Sequence, residues 1–227
     1  HEALVVSYEV YAFDSSVRTA WLDRDRGFFN GTSLCLRVEG REAEPHGIEL
    51  RAVPAGWDIV TSMPTASEAG ARLHRFVSAD YDELVDHPFV MGRFGTPSAD
   101  GATLWRGRFE VRGVPHEFVV SGAWPSFDGE RLLADTRRIV DAEMAFWHGA
   151  AEAPPFDRYV FMLHAADDAY GGLEHRASTA LIASRRDLPR LSASSGSSAV
   201  SAAASASPGG AQAVADGYVT LLGLISH

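Results

Sequence analysis

The first eighty residues alternate between apolar and polar side chains at the two-residue spacing of β-strands. Four segments have this pattern and are predicted strands: residues 4–13, 32–38, 48–53 and 57–61. The second of them follows Asn30-Gly31, a strong turn dipeptide. Apolar residues recur at helical spacing only within residues 67–76, where we predict a short helix. Short strands separated by Gly and Pro are typical of a β-sandwich or part of one.

The pattern changes near residue 80 to a mixture of strands and helices. Residues 103–111 and 116–121 predict a hairpin around Arg112-Gly113, and residues 159–163 form a continuous apolar strand. Between them, residues 128–148 carry an apolar stripe at helical spacing, with Asp128 as N-cap and Gly149 as the stop signal. The sequence therefore predicts a second domain of the α+β class.

Residues 191–215 have a different composition. Seventeen of these 25 residues are Ala or Ser and none is charged. They offer too little large apolar surface to offset the entropy of ordering, so we predict a flexible surface loop. Residues 218–227 are apolar on nearly every helical face, which predicts a buried helix that ends at His227.

Composition excludes several classes of protein. The net charge of −10 and the lack of clustered Lys and Arg argue against nucleic-acid binding. Cys35 is the only cysteine, which excludes an intrachain disulfide and a thiolate zinc site. No apolar run reaches about eighteen residues, so no membrane span is expected. The first residues are not a signal peptide, and a cytoplasmic and a periplasmic location are both left open.

Two short segments carry candidate chemistry. A buried apolar helix that ends in Leu-Ile-Ser-His resembles the start of an H-E-x-x-H zinc motif, although a single histidine is more often an ordinary residue. In the second, Gly171-Gly172 lets a backbone approach a ligand, and the carboxylate of Glu174 just beyond suits a substrate ammonium group. The alternative for this segment is a tight turn with a surface Glu–Arg pair.

Five ordered segments strengthen the interpretation. They are residues 8–14 (YEVYAFD), 27–33 (GFFNGTS), 81–88 (YDELVDHP), 171–179 (GGLEHRAST) and 217–227 (GYVTLLGLISH). Together they resemble the glycyl aminopeptidase family of zinc metallopeptidases, whose members often carry a PDZ domain. The resemblance spans the chain except for the Ala/Ser segment.

The resemblance implies roles for four residues. His227 matches the first zinc-ligand histidine, and Glu174 would bind the free α-amino group of a peptide. Gly171 and Gly172 would shape the strand beside the peptide backbone. Family members favour small N-terminal residues such as Gly or Ala and use Zn²⁺ to activate water.

The fold implied is α+β. Residues 1–79 would be the C-terminal part of a β-sandwich domain, and residues 80–227 the first part of a thermolysin-like catalytic domain with the flexible segment 191–215. The general-base glutamate and the other zinc ligands would lie beyond His227, so no catalytic residue is assigned within the chain. We expect an internal fragment with no activity and no tight zinc binding of its own.

Other interpretations stay open. The chain is alternatively a non-catalytic β-rich binding module or a degenerate peptidase homologue, and an endopeptidase on the same scaffold is a third possibility. His164, Asp167, Asp168 and His175 would form a metal site only if their loop folded back, so we interpret them as ordinary loop residues. The segment 23–27 resembles the start of a calcium loop but lacks the distal ligands. The Asn30-Gly31-Thr32 sequon is explained by a turn.

Overall fold

The structure is a computed structural model that describes residues 4–66, 73–149, 153–191 and 216–227. The strands in these segments are β1 Ala20–Leu22, β2 Arg26–Phe29, β3 His46–Leu50, β4 Asp58–Val60, β5 His74–Ser78, β6 Phe89–Phe94, β7 Thr103–Val111, β8 Val114–Ser121, β9 Tyr159–Ala166, β10 Tyr170–Glu174 and β11 Ser178–Ser184. The helices are α1 Tyr81–Val85, α2 Gly129–His148 and α3 Asp216–Ile225, and 3-10 turns lie at Gly31–Ser33 and Arg185–Asp187.

Nine of the strands form one mixed sheet. Its order is β1-β2-β6-β7-β8-β9-β11-β10, with β4 also paired to β6, while β3 and β5 form a separate antiparallel pair. Strand β6 pairs antiparallel with β2 and β4 and then, through its last two residues, parallel with β7. The fold is therefore β-rich, with a long curled sheet and few helices. The thermolysin-like architecture stays a prediction.

The predicted boundary between residues 79 and 80 also stays a prediction. Strands from both sides of it belong to the same sheet, because β2 and β4 pair with β6. Whatever the division into domains, the backbone hydrogen bonds of β6 tie the first third of the chain to the remainder.

The largest apolar core lies where α2 and α3 cover one face of the sheet. Phe118, Leu163 and Leu181 contribute from the strands, and Leu132 and Leu221 from the helices. All five are nearly inaccessible to solvent. A second core includes Val119 of β8 and Met162 of β9, which alternate with Phe118 and Leu163 as expected where successive side chains point to opposite faces, together with Val60 of β4.

The predicted hairpin and the predicted long helix are confirmed. Arg112 and Gly113 both adopt positive φ, at 52° and 80°, which is the conformation of a two-residue hairpin turn. Asp128 caps α2 by accepting a hydrogen bond from the Arg131 backbone N–H at 3.0 Å. Gly149 ends α2 with φ of 68°. Trp147, predicted to lie in the apolar stripe, is instead 71% exposed.

The prediction of a strand at residues 4–13 is wrong. In the described part of this segment, only an isolated bridge joins Phe13 to Trp21. The alternating side chains of Leu4, Val6 and Tyr8 are exposed. An extended segment becomes a strand only when a neighbour satisfies its backbone groups, and the described residues provide one only at its end, where Ala12 accepts from the Leu22 backbone N–H at 2.8 Å.

The predicted strand at residues 32–38 is a 3-10 turn followed by irregular chain. Asn30 explains the difference, since its side-chain oxygen accepts hydrogen bonds from the backbone and the hydroxyl of Thr32 at 3.1 and 2.8 Å. Ser33 closes the turn by donating to the Asn30 carbonyl. Local side-chain bonds of this kind compete with strand pairing. The interpretation of the sequon as a turn is confirmed, and Asn30 is only 1% exposed.

The predicted helix at residues 67–76 is wrong where it can be compared. Residues from His74 to Phe76 lie in β5, which pairs with β3 in the register Phe76↔Ile48. Pairing with a distant strand overrides the local helical spacing. Residues 67–72 lie outside the described residues, as do residues 192–215 of the predicted flexible loop. The predicted helix at the end of the chain is confirmed as α3, with Leu221 buried and Val219 exposed.

Candidate functional site

Strand β10 forms an edge of the long sheet. It pairs antiparallel with β11 in the register Gly172↔Leu181 and Glu174↔Thr179. Its other side pairs with none of the described strands. An open edge presents backbone donors and acceptors that an extended peptide can pair with. The first predicted site residues, Gly171, Gly172 and Glu174, therefore lie on a strand suited to bind a peptide backbone.

The two glycines of β10 face opposite directions. A Cβ atom added at Gly172 would approach Leu181 Cδ2 at 3.0 Å and Leu224 Cδ1 of α3 at 3.7 Å. One added at Gly171 would meet nothing closer than 3.8 Å. Because side chains alternate along a strand, Glu174 shares the face of Gly172, which is turned towards α3.

Helix α3 is held in position by contacts along its first turns. Tyr218 is buried and its hydroxyl donates to Asp135 Oδ2 of α2 at 3.0 Å. A Cβ atom on Gly217 would lie 2.1 Å from Asp187 Oδ1, so the helix begins at a position that only glycine can occupy without movement. These contacts direct the last turn of α3 towards the end of β10.

At that point the carboxylate of Glu174 meets the imidazole of His227. Oε1 of Glu174 accepts a hydrogen bond from Nδ1 of His227 at 2.8 Å, between residues 53 positions apart in the chain. The side chains are 54% and 77% exposed, so solvent and ligands can reach both. An ionised carboxylate only accepts, which places the proton on Nδ1 and leaves Nε2 with a lone pair when the ring is neutral.

Tyr159 belongs to the same region, although no sequence motif indicates it. Burial, and then the negative charges of Glu174 and Asp86, raise the pKa of its phenol. The ring lines a largely apolar cavity of about 220 Å³ that His227 and Trp147 also border. Only the register of β9 against its neighbours brings this phenol to the site.

A larger open cleft is lined in part by Glu174. Its volume is about 660 Å³, and its walls come from two distant parts of the chain. Arg18, Asn30 and Asp82 line it from the first third, and Glu174 and Arg176 from β10 and the turn that follows. The site is thus built jointly by the first ninety residues and the long sheet.

The four residues considered as a metal site are not assembled. His164 Nε2 accepts from Arg26 at 3.2 Å, and Asp167 pairs with Arg185 at 3.4 Å. His175 instead contacts Asp86 at 3.0 Å. His164, Asp167 and His175 therefore have separate partners, and His164 lies in β9 rather than in the loop expected for it.

The calcium-like segment is a turn. Asp23 Oδ1 accepts from the backbone N–H groups of Asp25 and Arg26, both at 2.8 Å, and Oδ2 accepts from the Trp21 indole. Burial acts to raise the pKa of Asp23, but these bonds together lower it. Both carboxylate oxygens are therefore engaged in holding the turn.

Residues 1–93 match the Peptidase M61 N-terminal domain. This range includes Arg18, Asn30 and Asp82, which line the open cleft. Comparison with curated proteins returns no match.

Solved structures extend the similarity beyond residue 93. An aminopeptidase N family protein from Idiomarina loihiensis is 35% identical, with a TM-score of 0.74 over 96% of this chain. The match covers 32% of that protein, so this chain spans about a third of its length. An M1 zinc metallopeptidase from Deinococcus radiodurans is 14% identical over 77% of this chain and 39% of its own, with a TM-score of 0.44. The domain match and the Idiomarina structure confirm the predicted resemblance to peptidases, and the assignment to the PDZ-containing glycyl aminopeptidases stays a prediction.

The described residues do not complete a zinc site. No group of three or more His, Cys, Asp or Glu side chains in the described segments is arranged to hold a metal ion. Nε2 of His227 provides one donor, whereas protein zinc sites use three or four. Within the same segments, no helix is long and apolar enough to span a bilayer.

Proposed function

We propose that the full-length protein containing this chain is a zinc-dependent aminopeptidase that releases small N-terminal residues, Gly or Ala, from peptides. Glu174 binds the α-ammonium group of the substrate, and Gly171 and Gly172 lie beside its backbone. His227 is the first histidine of an H-E-x-x-H motif and one of three protein ligands to zinc. The contact between Glu174 and His227 at the end of an edge strand is the observation that carries this proposal.

The geometry supports an anchor for amines. A peptide that pairs with the free side of β10 lies along the edge, and its N-terminus reaches the strand end where Glu174 is half exposed. A carboxylate at that point fixes the charged end of the substrate and so sets which peptide bond lies near His227. The imidazole of His227 donates to Oε1, and Oε2 makes no hydrogen bond to the described residues, so this second oxygen is open to an ammonium group.

The same contact supports the metal role of His227. Histidines that bind metals commonly donate their other ring N–H to a carboxylate, which fixes the tautomer and the ring orientation. Here the proton on Nδ1 points at Glu174 and Nε2 is the nitrogen with a free lone pair. When bound, zinc would supply a water molecule activated for attack on the peptide carbonyl.

A non-catalytic peptide-binding module is the second candidate. The open edge of β10 and the lack of three metal donors among the described residues favour it. The coding sequence separates the two directly. The peptidase requires Glu-x-x-His after His227, whereas any other continuation favours a binding module or a degenerate homologue.

The function is tested with the full-length protein and paired peptides. The pair consists of Ala- or Gly-initiated peptides with a free amino group and the same peptides acetylated at that group. The proposal predicts zinc-dependent release of the first residue from the free peptides only, abolished by a chelator and restored by Zn²⁺. Binding without hydrolysis would support the second candidate, and hydrolysis of both peptides would indicate an endopeptidase.

A further inference from the structure

The turn that follows Glu174 is held by a residue from the first ninety. Asp86 lies at the C-terminal end of α1, and His175 and Arg176 immediately follow β10. Oδ1 of Asp86 accepts a hydrogen bond from His175 Nδ1 at 3.0 Å, and Oδ2 accepts from the Arg176 backbone N–H at 3.1 Å. The Arg176 guanidinium also lies near Oδ2, at 3.6 Å. One carboxylate thus binds two consecutive residues 89 and 90 positions away in the chain.

This contact is shielded from solvent. The side chain of His175 is 6% exposed and that of Asp86 is 22% exposed. The His175 backbone N–H also donates to the Ser178 carbonyl at 2.9 Å, which closes the turn between β10 and β11. Partly buried, charge-assisted hydrogen bonds are stronger and less screened than surface ones. The turn is therefore fixed both within the hairpin and from outside it.

The position of Glu174 depends on this turn. Glu174 is the last residue of β10, and β10 pairs along only one side with described strands. The end of an edge strand is held by fewer backbone bonds than a strand in the middle of a sheet. Asp86 binds the next two residues and so limits the movement of the carboxylate that contacts His227.

We propose that Asp86 is a positioning residue for Glu174. It acts through His175 and Arg176 and couples the peptidase-like N-terminal segment to the amine anchor. This inference rests on the proposed function of Glu174, because a positioned carboxylate matters only if it binds the substrate. Three donors share the two oxygens of Asp86, so an asparagine, with one oxygen and an N–H₂ group, would turn a donor towards another donor.

The test is a kinetic comparison in the full-length protein. Asp86→Ala removes every contact, and Asp86→Asn keeps an acceptor for one of them. Asp157→Asn is the matched control, because Asp157 is exposed in the loop before β9 and makes no hydrogen bond or ion pair with the described residues. KM and kcat are measured with an Ala-initiated peptide that has a free amino group.

A loosened anchor weakens binding of the ammonium group. We expect Asp86→Ala to raise KM on the order of 10-fold, the effect typical of removing a supporting hydrogen bond. Asp86→Asn should give a smaller rise, and Asp157→Asn should stay within about 2-fold of wild type. Hydrogen exchange of the peptide containing residues 170–178 should accelerate in both Asp86 variants.

The outcomes separate the two proposals. Wild-type protein that releases no N-terminal residue overturns the function, and unchanged hydrogen exchange at residues 170–178 would then also overturn the positioning role. In an active enzyme, Asp86 variants that lower kcat with unchanged KM show a structural role only and overturn the inference. If Asp86→Ala does not fold, the same comparison is made with Asp86→Asn, and an unchanged KM there overturns it equally.

Discussion

The carboxylate of Glu174 and the imidazole of His227 are joined by a hydrogen bond of 2.8 Å at the open end of the sheet. Each residue comes from a different element, an edge strand and a helix end, and each is accessible to solvent. The pairing places a group suited to an ammonium ion beside a group suited to a metal ion. The proposed aminopeptidase function depends on this proximity.

The packing of β10 against α3 predicts unequal effects at the two glycines. Gly172→Ala places a methyl group 3.0 Å from Leu181 Cδ2 and close to α3, so it should destabilise the protein by about 1 to 3 kcal/mol. Gly171→Ala, with nothing nearer than 3.8 Å, is the control and should change stability by less than about 0.5 kcal/mol. Chemical denaturation measures both. Equal effects would show that β10 does not face α3 as described.

His164 predicts a specific pH dependence of stability. Burial, and then the charges of Arg26 and Arg185, lower its pKa to about 3. Arg26 donates to Nε2, so Nδ1 carries the proton and donates to Ser121 Oγ at 2.9 Å. The unfolded state takes up a proton below about pH 6.5 while the folded state does not, so this group reduces stability as the pH falls from about 6.5 to 3.

The measurement is urea denaturation across that pH range. His164→Gln keeps an acceptor for Arg26 but cannot titrate, so its stability should depend on pH less steeply than that of wild type. The difference between the slopes should approach about 1.4 kcal/mol per pH unit at most. Identical slopes would mean that the pKa of His164 is not lowered in the folded protein.

The 227-residue chain by itself is predicted to bind zinc weakly and to hydrolyse no peptides. Among its described residues, His227 provides one metal donor at the site, and no group of three or more donors is assembled. Calorimetric titration with Zn²⁺ and a peptidase assay with added Zn²⁺ check this. Tight 1:1 binding that survives His227→Ala would indicate a different metal site. Robust hydrolysis by the 227-residue chain would contradict the prediction.

Local signals in the sequence predicted part of the fold. Asp128 and Gly149 mark the ends of α2, and Arg112-Gly113 marks a hairpin, because caps and turns depend on a few adjacent residues. The strand predicted at residues 4–13 and the helix predicted at residues 74–76 are both wrong, because strand formation depends on distant partners. Asn30 shows the opposite effect, since its own side chain replaces a predicted strand with a turn.

The candidate site was predicted only in part for the same reason. The segments containing Glu174 and His227 were identified from their residues and from the family resemblance, and the structure places these two side chains in contact. Their roles in binding and metal coordination stay predictions. Asp86 and Tyr159 reach the site through β-sheet register and the packing of α1, which no local pattern shows.

The most direct test of the account is the effect of Glu174 on recognition of the free amino group. In the zinc-loaded full-length protein, kcat/KM is measured for an Ala-initiated peptide with wild type, Glu174→Ala and Glu174→Gln. Glu110→Gln, a change at an exposed position of β7, is the matched control. Zinc content is measured for each variant, so that a loss of metal is distinguished from a loss of amine binding.

Removal of a charge-assisted hydrogen bond should lower kcat/KM by about 10- to 150-fold in both Glu174 variants. Glu174→Gln keeps an oxygen acceptor for Nδ1 of His227, so its zinc content should stay unchanged. The control should retain wild-type activity. Full peptide cleavage by Glu174→Ala would contradict the account, as would a loss of activity fully explained by a loss of zinc.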